Sequence, residues 1–269
     1  MTGTTTRQSR IGATFARLRE SGETGVFPYL TVGFPEMDTV QRVVPALVAG
    51  GAAMVELGIP FSDPLADGAT VQASSHAALV NGVTVAYCLQ TARDLRHDGV
   101  DVPLIFMGYY NPLLSYGLER FATDCTEAGA DGIIVPDLPP DESGDLLDAC
   151  RRHGRDLIFM VAPTSTDELL EAVARQASGF IYCVSLTGVT GARSTLSAGL
   201  GEFIGRVRRH TDLPLVIGFG ISEPEHVAQA GVLAQGVAVG SAVVSRLGST
   251  PRERQAEEMR RFIVRLRGA

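Results

Sequence analysis

Residues 54–68 read MVELGIPFSDPLADG. The segment opens as a strand and closes as a turn. From Met54 to Ile59 it is apolar except for one carboxylate, Glu56. A continuously apolar run, stopped by Pro60 and followed by an Asp-Gly turn at Asp67-Gly68, suits a strand buried on both faces of a parallel sheet. A glutamate inside such a strand needs a reason, because an isolated buried charge is expensive.

Other runs of the same kind lie on either side. They are VFPYLTVG (26–33), PLIFMGYY (103–110), GIIVPDL (132–138), DLIFMVAP (156–163), FIYCVSL (180–186), PLVIGFG (214–220) and GVAVGSAVV (236–244). With MVELGIP (54–60) they make eight. Between them the periodicity turns helical. In 38–51, Val40, Val43, Val44 and Leu47 share one face, and 118–130 is similar. In 166–177, Thr166 is an N-cap and Leu169, Leu170 and Val173 face inward. The C-terminal segment from Thr250 interleaves arginine with glutamate, as a solvated helix face does. Eight strand–helix units in 269 residues predict an α/β fold, a (β/α)8 TIM barrel forming one domain over 1–269, with an extra N-terminal helix around Ile11 to Arg19. An open doubly wound sheet is disfavoured, since no G-x-G-x-x-G follows the first strand.

Composition narrows the function classes. The net charge of −7 argues against nucleic acid, whose phosphates require a basic face. No apolar run approaches the roughly 18 residues of a membrane span, and the polar N-terminus has no signal-like apolar core. The four cysteines, Cys88, Cys125, Cys150 and Cys183, are far apart and read as buried thiols of a cytoplasmic protein. The five histidines have no ligand spacing, so no metal site is expected. All 23 basic residues are arginine. Without lysine the chain can form no Schiff base with a carbonyl substrate and no internal aldimine with pyridoxal phosphate.

Active sites of TIM barrels lie at the carboxyl ends of the strands. Glu56 is near that end of the second strand, and Asp67 is at the top of the same unit. Burial raises a carboxyl pKa, which suits a group that both gives and takes a proton. IGFGIS (217–222) and VGSAVV (239–244) place Gly220, Gly240 and Ser241 after strands seven and eight, where such barrels cradle phosphate with backbone N–H groups. SLTGVTGARS (185–194) has the glycines of a closing lid.

With these segments in place, the chain from Phe27 to Arg265 resembles the α subunit of tryptophan synthase. ELGIPFSDPLADG (56–68) is close to a family signature, supported by PYLTVGFP (28–35), MGYYNP (107–112), VPDLP (135–139), GVTGA (188–192), GFGIS (218–222) and VGSA (239–242). The resemblance implies retro-aldol cleavage of indole-3-glycerol phosphate to indole and glyceraldehyde 3-phosphate. It implies no cofactor on this chain. It also implies a β subunit that carries pyridoxal phosphate, in an α-β-β-α heterotetramer. Glu56 matches the catalytic glutamate, Asp67 the catalytic aspartate, Tyr182 the tyrosine beside the glutamate and Thr190 the lid threonine. Gly191, Gly220, Gly240 and Ser241 match the phosphate ligands, and Tyr29, Met107, Tyr109, Pro136 and Met160 the indole pocket. Pro60, Phe61 and Asp63 fall on the loop that meets the β subunit. In the implied mechanism Glu56 protonates indole C3 and later accepts the hydroxyl proton. Asp67 stabilises the cationic indolenine and takes the indole N–H proton. Departures are Phe34 after the first strand, Ala69 in the signature loop, Ala77 in place of an arginine, and an atypical segment from Gln229 to Gly236. Two other functions share these residues, a stand-alone indole-producing lyase and a weakly active barrel that mainly activates the β subunit.

Overall fold

The computed structural model describes residues 9–184, 199–218 and 220–268. In chain order its elements are α1 (Arg10–Ser21), β1 (Gly25–Thr31), α2 (Thr39–Ala49), β2 (Val55–Gly58), α3 (Ala69–Val80), α4 (Val85–His97), β3 (Leu104–Met107), α5 (Tyr110–Tyr116), α6 (Leu118–Ala128) and β4 (Gly132–Ile134). There follow α7 (Gly144–Arg152), β5 (Asp156–Val161), α8 (Asp167–Gln176), β6 (Ile181–Val184), α9 (Leu200–Arg208), β7 (Leu215–Gly218), α10 (Pro224–Gly231), β8 (Gly236–Val239), α11 (Ser241–Ser249) and α12 (Gln255–Leu266). Short 3-10 turns lie at Pro140–Glu142 and Arg252–Arg254.

The strands form a closed parallel barrel in sequence order, and β8 returns to β1 with Val26 opposite Val237 and Phe27 opposite Ala238. Alternation along each strand divides the apolar residues into two sets. Val26, Leu30, Val55, Leu57, Leu104, Phe106 and Ile181 point outward and pack under the helices. Phe27, Ile105, Ile134, Ile158, Tyr182, Val216 and Ala238 fill the interior. The continuous apolar runs of the sequence follow from these two buried faces. The interior set extends into α1, whose Ile11, Phe15 and Leu18 close the amino-terminal floor of the barrel. Phe15, Phe27 and Phe180 meet there with centroids 5.8–6.3 Å apart.

The helix expectations hold closely. Val40, Val43, Val44 and Leu47 of α2 are buried, and the Thr166 side chain accepts from the Leu169 N–H to cap α8. Leu170 and Val173 are buried, while Leu169 is half-buried against the core. The strands are shorter than the apolar runs. β3 stops before Gly108 and β4 before Pro136, and the end of GVAVGSAVV is not strand at all. Ser241 to Val244 begin α11, whose Val243, Val244 and Leu247 face the core. An apolar stretch of that length satisfies either geometry, and pairing of β8 with β1 ends at Val239 opposite Pro28. All four cysteines are free and buried. Among the described residues no helix is long and apolar enough to cross a membrane, and no group of side chains could hold a metal ion.

Candidate active site

A cavity of about 350 Å³ opens at the carboxyl ends of the strands. Glu56 and Tyr182 form its inner wall, Asp67, Gly68 and Thr70 one side, and Gly220, Gly240 and Ser241 another. Tyr29 and Met107 also line it. The carboxylates and glycines singled out in the sequence therefore converge on one space.

Glu56 is 1% exposed and its Oε1 has no hydrogen-bond partner in the described protein. Burial alone pushes its pKa up to about 8. The barrel thus holds a carboxyl that is neutral in the resting state and poised to give up its proton. Asp67 is less enclosed. Burial pushes its pKa up to about 6, and a hydrogen bond with Tyr109 opposes the rise. The environments push the two carboxyls apart, so at neutral pH one is acid and the other base.

The loop between them is tied down at its two ends. The Phe61 N–H donates to Ser75 Oγ (2.8 Å), and that hydroxyl donates back to the Phe61 carbonyl (3.0 Å). The Ala66 N–H donates to Tyr109 Oη (2.9 Å), and Gln72 Nε2 donates to the Asp67 carbonyl (2.9 Å). The Phe61 ring lies 5.3 Å from that of Tyr109. Pro60 is buried, Phe61 half-buried and Asp63 exposed; Leu65, at the tip, is 93% exposed. Part of the apolar character of this loop therefore anchors it to its own barrel rim.

Two tyrosines reach the cavity over glycines. A Cβ on Gly58 would lie 2.1 Å from Tyr29 Oη, and one on Gly218 2.2 Å from Tyr182 Oη. Burial, then the charges of Glu56 and Asp67, push the Tyr182 phenol well up, so it remains a hydrogen-bond donor.

Opposite the carboxyls, α11 presents its amino end to the cavity. Gly240 is its N-cap, and among the described residues no side chain caps the helix. Unpaired N–H groups and the helix dipole there attract an anion. Gly220, at φ +79°, turns the chain after β7 toward the same place. No basic side chain lines the cavity among the described residues, so backbone groups are the available anion ligands.

Not every expected residue meets here. Met160 packs against the barrel interior and Pro136 is half-buried beyond β4; neither lines the cavity. Tyr109 acts beside it, through Ala66 and Asp67. Thr190 and Gly191, with the expected lid, lie outside the described residues. Sequence reading missed Thr70, Val71, Ile221, Ser222, Ala242 and Ser245 on the cavity wall. Ser245 was discoverable, because it follows Ser241 by one helical turn and shares its face.

A parallel barrel with two carboxyls of raised pKa at the carboxyl ends of its strands defines a class, the TIM-barrel enzymes that work by acid–base chemistry. The sequence profile of the family described as tryptophan synthase alpha chain matches residues 15–267. The chain belongs to that family of lyases, and its role is the alpha half-reaction of L-tryptophan biosynthesis, cleavage of indole-3-glycerol phosphate. It is 54% identical over 260 residues to the tryptophan synthase alpha chain of Roseiflexus sp. (strain RS-1), covering 97% of this chain and 100% of the relative. The alpha chain of Chloroflexus aggregans is 56% identical over 239 residues, with 89% and 90% covered. Among solved structures, subunit alpha from Legionella pneumophila superposes with a TM-score of 0.87 at 32% identity, covering 97% of each chain. A Mycobacterium tuberculosis tryptophan synthase structure gives 0.88 at 37%, covering 97% of this chain and 98% of that one. The family implies a β-subunit partner.

Proposed function

We propose that Glu56 and Asp67 divide the acid–base work of this cleavage. The observation that carries the assignment is the unpaired, buried Glu56 carboxyl in the same cavity as Asp67. Neutral Glu56 delivers its proton to indole C3. Asp67, as carboxylate, faces the indole N–H and balances the charge of the cationic indolenine. The carboxylate left on Glu56 then takes the proton of the glycerol hydroxyl as the C3–carbon bond breaks. The electron pair returns to the ring, and indole and the aldehyde separate. The indolenium does the electron-withdrawing work of an iminium, so a chain without lysine loses nothing.

The substrate phosphate sits on the N–H groups of Gly220, Gly240 and Ser241, completed by Gly191 of the lid, and Thr190 orients Asp67. Tyr182 stands beside Glu56. Tyr29, Met107 and Tyr109 surround the indole ring, with Met160 and Pro136 beyond them. The chain acts without a cofactor in the cytoplasm. Its β partner holds pyridoxal phosphate in an α-β-β-α heterotetramer and meets the loop carrying Pro60, Phe61 and Asp63.

The test is indole release from indole-3-glycerol phosphate, with and without a β subunit, as a function of pH. Activity should rise as Asp67 ionises near pH 6 and fall as Glu56 ionises near pH 8. A profile flat from pH 5 to 9 would contradict the assignment.

A further inference from the structure

Tyr29 enters the site as an aromatic wall, yet its hydroxyl is held by a buried polar chain that a wall does not need. Thr31 Oγ1 donates to Tyr29 Oη (3.3 Å), and Thr31 Oγ1 lies 2.6 Å from Ser74 Oγ. Thr31 and Ser74 are fully buried. Thr31 has one hydroxyl proton and gives it to Tyr29, so its oxygen accepts from Ser74. The Ser74 hydroxyl also donates to the Val71 carbonyl (2.8 Å), so its one proton is shared between the two acceptors. The order Ser74 to Thr31 to Tyr29 polarises the phenol, and a hydroxyl that accepts becomes a better donor. Its own proton has no acceptor among the described residues.

Tyr29 and Glu56 are register partners on β1 and β2, and both line the cavity. The Tyr29 hydroxyl hangs over Gly58, at 2.1 Å from where a Cβ would be. Gly58 is two residues beyond Glu56 on the same strand, so its missing side chain would share the face that Glu56 uses. Glu56 Oε1 is buried and has no hydrogen-bond partner among the described residues.

We propose that Tyr29 is a positioning residue whose hydroxyl, ordered by Thr31 and Ser74, hydrogen-bonds the Glu56 carboxylate that forms when the glutamate gives its proton to the substrate. In the resting enzyme Glu56 is neutral and needs no such donor. Once its proton has moved to carbon, the glutamate is a buried anion, and the phenol supplies the stabilisation that water cannot. No proton passes from Tyr29. Burial, followed by the charge of Asp67, pushes its pKa far up, and it stays a phenol throughout. Gly58 keeps the path between the two groups open.

The proposal rests on Glu56 as the proton donor, and the experiment separates the two. Tyr29→Phe keeps the ring and removes the hydroxyl. Its kcat should fall about tenfold, the scale of one hydrogen bond to a charged group, with KM nearly unchanged. The descending limb of the pH–kcat profile should move to higher pH, because the ionised form of Glu56 has lost a donor. Thr31→Val should move both quantities the same way by less, and Thr31→Ser should restore them. Parental kcat and limb in Tyr29→Phe would overturn the proposal. So would a fall in kcat with the limb unmoved, which is the mark of ring packing alone. If Glu56→Gln is inactive while Tyr29→Phe is parental, only this inference fails; if Glu56→Gln itself keeps parental turnover, the assignment of Glu56 fails with it.

Discussion

At the floor of the barrel Phe15, Phe27 and Phe180 meet ring against ring, and at the mouth Tyr29 and Tyr182 lean over Gly58 and Gly218. The same device serves both ends. Phe27 also lies where a Cβ on Gly25 or Gly236 would be, 2.6 Å from each. At the floor the space cleared by glycine is filled with carbon, and the rings join a buried hydrophobic cluster. At the mouth it admits hydroxyls, two carboxyls and the open amino end of a helix. The floor is packed for stability. The mouth holds Glu56 buried and unpaired, a state that costs stability and that the acid–base role proposed for Glu56 requires.

The comparison makes its strongest claim at Glu56. Glu56→Gln should lower turnover at least about a thousandfold, measured as indole release. It should also stabilise the protein at alkaline pH. The folded pKa of Glu56 lies near 8, above the ordinary value of 4.5, so the folded state holds a proton that the unfolded state releases. Parental stability therefore falls as pH rises from about 4.5 to about 8, and the glutamine variant escapes that loss. Melting temperatures at pH 5 and pH 9 should show the variant gaining on the parent at the higher pH. A variant that is inactive but gains nothing would mean that Glu56 is not buried as an uncompensated acid.

The floor should behave in the opposite way. Phe180→Ala should cost about 3–5 kcal/mol in denaturant unfolding while the folded fraction keeps its kcat. A kcat that falls in step with stability would dissolve the distinction between the two ends. Within the mouth, the anion end should affect binding more than chemistry. Gly220→Val forces a branched side chain to φ +79° and should raise KM roughly tenfold with a smaller change in kcat.

The smallest effect is expected at the rim. Leu65 and Asp63 are exposed, whereas Phe61 packs on Tyr109, which holds Ala66 beside Asp67. Leu65→Ala and Asp63→Ala should reduce stimulation by a β subunit about threefold and leave the isolated chain unchanged. Phe61→Ala should lower the basal rate as well, which sharpens the line between partner surface and active-site support. Titration of β subunit against indole release measures both.

The order of elements was legible in the sequence because burial on two faces leaves an unmistakable mark. Runs such as MVELGIP and DLIFMVAP can be little else than barrel strands when eight of them alternate with helices. Glu56 was legible for the same reason, as a charge in the middle of such a run. The end of β8 was not, because Ser241 to Val244 are apolar enough for either a strand or the first turn of α11. Ser74 and Thr31 gave no signal at all. They are ordinary small polar residues 43 apart, and only the packing of α3 against β1 brings their hydroxyls within 2.6 Å.

By itself the sequence determined the strand–helix alternation, the two carboxyls and the glycine-rich loops after β7 and β8, since each depends on local composition and spacing. Tertiary structure alone decided that Glu56 has no partner, that Tyr29 stands over Gly58, and that half of the loop at residues 60–67 is bound to its own rim. Protonation and hydrogen bonding are set by which groups distant segments bring within about 3 Å, and by how much water they exclude. A linear pattern carries neither quantity.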